Sequence, residues 1–318
     1  MIVSRFFTNS PALLGLITGT VLLTACGGES PGAPQGQDSE TVVSTPEGQS
    51  APASSPVATS AISLDTVIAG PQRGEGHKAR DQYRHPKETL SFFGLKPDMT
   101  VVEMSPGGGW YTRIIAPYLA SGGGSYIALQ PNPGDNQRRI DRIDAFKNTF
   151  GGTETFGDVR VALLGTDDAN LAPGSADMVL TFRNVHNWMG GQTTDAVFAS
   201  FYDALKPGGI LGLVEHRGDP EKDQNPRGRT GYVRQDVVIA MAEKAGFEVD
   251  ATSEINANPA DDRDHPFGVW TLKPVRRSSQ TGAPDPEFDR AAYDAIGESD
   301  RMTIRFRKPL GDDGALLE

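Results

Sequence analysis

Three groups of residues in this chain have types and spacings that chemistry could use. The first is Glu103-Met104-Ser105-Pro106-Gly107-Gly108-Gly109, a carboxylate followed by a run of three glycines. Glycine lets a ligand approach the backbone, and a helix starting just after such a turn points its free N–H groups at anionic groups. A tight strand-to-helix turn with no ligand would use the same glycines. Thr112 stands where G-x-G-x-x-G has its third glycine, which argues against a dinucleotide fingerprint. The second group is His186, within Arg183-Asn184-Val185-His186-Asn187-Trp188, together with His216 after Glu215. An imidazole with an ordinary pKa of about 6.5 suits proton transfer at neutral pH. It can equally do no more than bond its own loop. The third is Asp261-Asp262-Arg263-Asp264-His265, rich in oxygen but without the ordered alternation of a calcium loop. It reads as an exposed acidic loop, and no metal site is expected.

These residues must be positioned by alternating strands and helices. Thr100–Met104, Tyr126–Gln130, Val159–Leu164, Asp177–Phe182 and Ile210–Glu215 are short apolar, β-branched runs. A sixth strand is expected over Phe247–Ile255. Helical spacing lies between them: Val197, Phe201 and Leu205 recur every four residues, with Pro207-Gly208-Gly209 expected to end that helix. Val237–Phe247 repeats the design, with Gly246 as its cap. The pattern predicts an α/β fold with a Rossmann-like, doubly wound sheet. His186 then falls just past the fourth strand, at the carboxyl edge where open α/β sheets bind ligands. In the last strand, Met302, Ile304 and Phe306 alternate with Thr303, Arg305 and Arg307, which predicts an antiparallel strand buried on one face near a sheet edge. Residues 256–300 form a long Pro- and Asp-rich excursion, the length of a lid or binding loop, or else a surface insertion that merely packs on the sheet.

With its glycine turn, this pattern resembles the class I S-adenosylmethionine (SAM) methyltransferases, and among them the predicted methyltransferases of bacterial exported proteins. The resemblance covers roughly residues 74–310, and Leu205–Glu215, "LKPGGILGLVE", is its most specific segment. It implies seven strands with the last antiparallel, and SAM as methyl donor. It places Glu103, Ser105, Gly107 and Gly109 around the methionine part of the donor, Gln130 on the ribose, and Asp167 and Asp168 at the adenine. Ser105 replaces a glycine, which requires a negative φ at that residue. Gln130 replaces a carboxylate and can accept only an uncharged hydrogen bond, unless Asp135 substitutes for it. Asn184 then orients donor or acceptor, Trp188 walls the pocket, and His186 or His216 serves as the base. Tyr232 reaches the pocket or forms a hydrophobic staple. Arg80, Arg84 and His85 lie before a short helix that could cover the donor carboxylate, although a solvated face is the plainer expectation.

Lys and Arg total 30 against 41 Asp and Glu, a net charge of −11, so an acidic body repels phosphate backbones and nucleic acid is excluded as a partner. Cys26 is the single cysteine and closes an apolar stretch running from Ala12 to Leu23. That excludes internal disulfides and Cys-based metal sites. Leu23-Thr24-Ala25-Cys26 resembles a lipobox, predicting a signal peptide over 1–25, lipidation of Cys26, a tether over 26–62 and one folded domain over 63–318. The tether is Gly-, Pro- and Ser-rich with few large apolar residues. Gly27 after the cysteine suggests delivery to the periplasmic face of the outer membrane, with the lipid as the only membrane contact. Two functions stay open: methyl transfer to a small molecule or envelope component, and a non-catalytic lipoprotein that reuses the fold to bind another ligand.

Overall fold

Alternate residues of a strand face opposite sides of a sheet, so a sheet covered on both faces needs strands that are apolar throughout. In the computed structural model, which describes residues 61–166 and 171–311, this holds at the sheet centre. Val101 packs with one hydrophobic cluster and Val102 with the other, and Tyr126/Ile127 and Met178/Val179 divide in the same way. Four short helices come first: α1 (Leu64–Ala69), α2 (Glu75–Lys78), α3 (Asp81–Arg84) and α4 (Pro86–Phe93). Strand β1 (Thr100–Met104), helix α5 (Thr112–Gly122), strand β2 (Ser125–Pro131), helix α6 (Gln137–Phe150), strand β3 (Val159–Leu164) and strand β4 (Ala176–Phe182) follow. Helices α7 (Val185–Gly191) and α8 (Thr194–Ala204) lead to β5 (Leu205–His216), α9 (Gln235–Lys244) and β6 (Glu248–Ser253). A 3₁₀ turn (Gly268–Thr271), α10 (Ala291–Ile296) and β7 (Arg301–Arg307) complete the order.

The sheet order is β3-β2-β1-β4-β5-β7-β6. Neighbours from β3 to β5 are parallel, and β7 runs antiparallel to both β5 and β6. One face is covered by Leu90 and Phe93 of α4, Ile114, Ile115 and Leu119 of α5, and Phe146 and Phe150 of α6. On the other, Trp188 of α7, Phe198 and Phe201 of α8, and Val238 and Ala242 of α9 form the second core. Each large side chain buried here contributes about 1.5–3 kcal/mol. This is the doubly wound, Rossmann-like sheet with an antiparallel last strand that the sequence predicts. Among the described residues no helix is long and apolar enough to cross a membrane.

Three local expectations change. Helix α8 stops at Ala204, because Leu205 is already extended and opens β5. The Pro207-Gly208-Gly209 segment therefore lies inside that strand, beside a register shift against β4, and Gly208 N donates to Lys308 O at 2.9 Å. Strand β7 is antiparallel and stands next to the edge strand, as expected, but at Arg301 and Thr303 its second face is covered too. It lies between β5 and β6, and its residues from Arg301 to Ile304 are all buried. Met302, Ile304 and Phe306 enter the core, while Asn256 Nδ2 donates to Thr303 Oγ1 at 2.9 Å and Arg301 Nη1 donates to Tyr83 O at 2.9 Å on the other face. Of its alternating polar residues Thr303 is covered, while Arg305 and Arg307 stay partly exposed and pair with Asp250. Last, the 256–300 excursion is packed, with Val269, Thr271 and Leu272 buried and Asn258 Nδ2 donating to Ile296 O and Glu298 O.

Candidate functional site

Parallel strands end at one edge of a sheet, and the loops that leave there enclose ligands. At that edge β1 runs into the glycine turn. Ser105 N still donates to Leu129 O at 2.8 Å, which continues the ladder for one residue, and the chain then turns sharply. Ser105 has φ +51, Gly107 φ +60 and Gly109 φ +75. The expected negative φ at Ser105 is thus overturned: a left-handed serine costs roughly 1–3 kcal/mol, and such strain gathers at functional sites. The three glycines differ in what surrounds them. A Cβ on Gly109 would meet the Phe150 ring at 2.2 Å, whereas one on Gly107 or Gly108 would meet nothing within 4 Å.

That open space is a cavity of about 1100 Å³, lined by Ser105, Gly107 and Gly108 from the turn, Gln130, Pro131 and Asn132 from the end of β2, and Asn184, Asn187 and Trp188 across from them. Its volume slightly exceeds the ~300–1,000 Å³ common for small-molecule sites. Asn184 is held in place, since its Nδ2 donates to Met104 O at 3.0 Å and to Thr181 Oγ1 at 3.2 Å. The wall that sequence reasoning missed is α6, which brings Arg139, Arg142, Ile143, Phe146 and Phe150 to the cavity, with Arg113 from α5 beside them. Its signal was available: those positions recur at the three- and four-residue spacing of one helix face.

The predicted site residues thus divide. Ser105, Gly107, Gln130 and Asn184 share the cavity wall, while Gly109 is turned against Phe150. Glu103 is buried behind the turn, accepting from Tyr126 Oη at 2.5 Å and Thr112 Oγ1 at 3.3 Å. Its burial outweighs those bonds and pushes its pKa up to about 7. Asp135 is exposed and outside the cavity wall. Asp167, Asp168 and Cys26 lie outside the described residues.

His186 and His216 are brought together, with ring centroids 5.5 Å apart, but neither lines the cavity. Glu215 organises them. Its Oε2 accepts from Val185 N at 2.6 Å and His186 N at 3.4 Å, and its Oε1 accepts from His216 N at 2.8 Å. His186 Nδ1 lies 3.1 Å from the same Oε1. A carboxylate only accepts, so Nδ1–H donates in that contact, which in a neutral ring leaves the lone pair on Nε2. His216 Nδ1 meets Ser299 Oγ at 2.5 Å. Burial, then His186 and the guanidiniums of Arg301, Arg183 and Arg84, hold the His216 pKa well below its ordinary value.

Other expectations are corrected by burial. Asp261 and His265 are not an exposed acidic loop, because both side chains are almost fully enclosed and His265 Nε2 lies 2.7 Å from Asp261 Oδ1. Tyr232 is no hydrophobic staple: its hydroxyl donates to the Asp261 carboxylate, 2.9 Å from Oδ2. The 256–300 excursion places Trp270 6.0 Å from His186, between ring centroids, yet supplies no wall of the cavity. It is packing beside the histidines rather than a lid on the glycine turn. Arg84, expected on a solvated face, is buried.

No protein-family model matches this chain, and no curated protein sequence does. Solved structures do match its fold. A SAM-dependent methyltransferase from Aquifex aeolicus aligns at 14% identity and a TM-score of 0.46, covering 78% of this chain and 99% of its own. A putative sarcosine dimethylglycine methyltransferase from Galdieria sulphuraria aligns at 14% identity and a TM-score of 0.46, covering 74% and 88%. A possible exported protein from Bordetella parapertussis aligns at 18% identity and a TM-score of 0.41, covering 73% and 68%.

Proposed function

We propose that this chain is a SAM-dependent methyltransferase acting on a small molecule or an envelope component, with the glycine-turn cavity as donor site. The observation that carries this reading is the juxtaposition of Gly107 and Gly108 with Gln130 across one cavity, at the carboxyl ends of β1 and β2. The resemblance assigns Gly107 and Gln130 to the donor. The residues present fit such a group: bare backbone at the turn, amide side chains at Gln130 and Asn184, and apolar surface from Ile143, Phe146 and Leu164. When bound, SAM supplies an electrophilic methyl group. This chain's part is chiefly positioning, which can account for most of the acceleration of a displacement of this type. Where the acceptor must lose a proton, His186 is the better base, because Glu215 fixes its Nδ1–H and leaves Nε2 to accept. His216, with its pKa held low, stays neutral and serves better as a hydrogen-bonding partner.

A second reading, a non-catalytic binding protein on the same fold, is favoured by one observation: neither histidine lines the cavity. Titration calorimetry of the full-length protein with SAM, S-adenosylhomocysteine and NAD separates the two. Binding of the first two without NAD supports the donor site, and silence with both adenosyl ligands removes it. We also propose lipid anchoring through Cys26 to the periplasmic face of the outer membrane. Cys26→Ser should release the protein into the soluble envelope fraction, and unchanged membrane partitioning with no acyl label in the wild type rules the anchor out.

A further inference from the structure

Four guanidiniums converge on one carboxylate beside the candidate donor site. Arg80 Nε donates to Glu298 Oε1 at 2.6 Å and Arg84 Nε to Glu298 Oε2 at 3.2 Å. Arg301 Nη2 bonds the same Oε2, and Arg183 Nη1 stands 3.9 Å from it, beyond hydrogen-bond reach. Glu298 is thus saturated, and its pKa falls to about 2: the guanidiniums of Arg301, Arg84 and Arg80 overcome the effect of its burial. Nearby acids are engaged elsewhere, Asp81 with Arg73 and Asp300 with Arg217 and Arg263. Glu103 also lies in the field of Arg183 but is bonded to Tyr126 and Thr112, so among the described residues Glu298 is the carboxylate that pairs with all four guanidiniums.

The excess is buried. The Arg84 and Arg301 side chains are each 3% exposed, and those of Arg80 and Arg183 are 25% exposed. Arg84 Nη2, Arg80 Nη2 and Arg301 Nε have no hydrogen-bond acceptor among the described residues. Buried positive charge in excess of its counter-charge is costly, as are unsatisfied donors, and a further anion would offset both. Trp110 lies under the Arg84 guanidinium, with Cζ 4.6 Å from its ring centroid, which fixes the plane of the fork. A planar fork with free donors suits carboxylate or phosphate oxygens.

The cluster borders the chemistry. Arg183 directly precedes Asn184, which lines the cavity. Tyr111, two residues past the glycine turn, stacks on Phe182 at 3.6 Å and donates to Arg84 O at 3.3 Å. His216, whose field is set partly by Arg301, Arg183 and Arg84, lies on the same side. The cavity is lined by none of the four arginines, so they do not belong to the donor's walls.

We propose that Arg80, Arg84, Arg183 and Arg301 together receive one anionic group, a carboxylate or a phosphate, of the molecule that is methylated. This rests on the methyltransferase reading above. Titration calorimetry of the full-length protein in detergent, at constant ionic strength, tests it with inorganic phosphate and acetate as probes. Wild type should bind at least one of them saturably. Arg183→Gln, which removes no hydrogen bond within the fold, should weaken that binding about tenfold or more and leave SAM affinity within about twofold. Arg84→Met should abolish it, and if that variant does not fold, Arg183→Gln decides alone. No saturable binding of either probe, or equal binding by Arg183→Gln, overturns the proposal. If Arg183→Gln weakens SAM but not decarboxylated SAM, the anion is the donor's own carboxylate and the assignment to the acceptor falls. If wild type binds no SAM yet binds anions through Arg183, the donor reading fails and the anion receptor stands.

Discussion

Adding one methyl group at each of three consecutive glycines should separate folding from ligand binding. At Gly109 the backbone has φ +75 and a new Cβ would lie 2.2 Å from Phe150 Cζ. Phe150 cannot yield, being buried and packed against Phe146 and Phe156 with ring centroids 4.6 and 5.0 Å away. Left-handed strain of about 1–2 kcal/mol and overpacking of about 1–3 kcal/mol give roughly 2–5 kcal/mol. In a domain of this size that lowers the melting temperature by about 4–20 °C. Gly107→Ala carries the strain without the clash, since φ is +60 and nothing lies within 4 Å, and it should lose only about 2–8 °C. Gly108→Ala carries neither and should melt within about 0.5 kcal/mol of wild type. Binding should rank differently, because Gly107 and Gly108 line the cavity and Gly109 does not. Differential scanning fluorimetry with SAM calorimetry should find Gly108→Ala fully folded and at least about tenfold weaker for SAM. A Gly108→Ala protein that binds SAM as wild type does reduces the turn to a folding device. A Gly109→Ala protein as stable as wild type refutes the packing argument.

Further outcomes are expected elsewhere. Gln130→Glu should tighten SAM binding about tenfold, because a carboxylate bonds ribose hydroxyls with charge assistance; unchanged or weaker affinity by calorimetry moves the ribose away from β2. Glu103 has its pKa raised from 4.5 to about 7, so its contribution to stability is full below pH 4.5 and is lost as pH rises through 7, on the order of 3 kcal/mol. Glu103→Gln should flatten that decline in denaturant titrations at about pH 5 and pH 8, and an unaltered slope assigns the decline to other groups. Glu298→Gln removes the one carboxylate among four guanidiniums and should cost about 3–5 kcal/mol. A melting temperature within about 2 °C of wild type shows that those cations are not held together by it.

Much of the fold was legible because local sequence encodes burial and backbone preference. The β-branched runs at Val101–Val102 and Val159–Leu164, and the four-residue spacing in α8, suffice to place strands and helices. The glycine turn was placed by the same logic, since it follows from where the first strand ends, whereas Gln130 was assigned its role by the family resemblance. Helix ends were less legible: Pro207-Gly208-Gly209 looks like a terminator, yet the pairing of β5 with β4 and β7 draws Leu205–Gly209 into the sheet.

The sequence alone determined that this chain has an α/β sheet with a glycine turn after its first strand. Tertiary structure alone decided that β7 enters between β5 and β6, which buries Arg301 and Thr303 while Arg305 and Arg307 remain partly exposed. It also decided which charges matter. Arg80, Arg84, Arg183, Glu298 and Arg301 come from segments up to 221 positions apart, and each looks like an ordinary solvated residue in its own stretch of chain. Arginine is normally exposed, so no local pattern marks one as buried. Only the packing of α3, the end of β4 and the start of β7 against one another removes the water that would otherwise hide their charge.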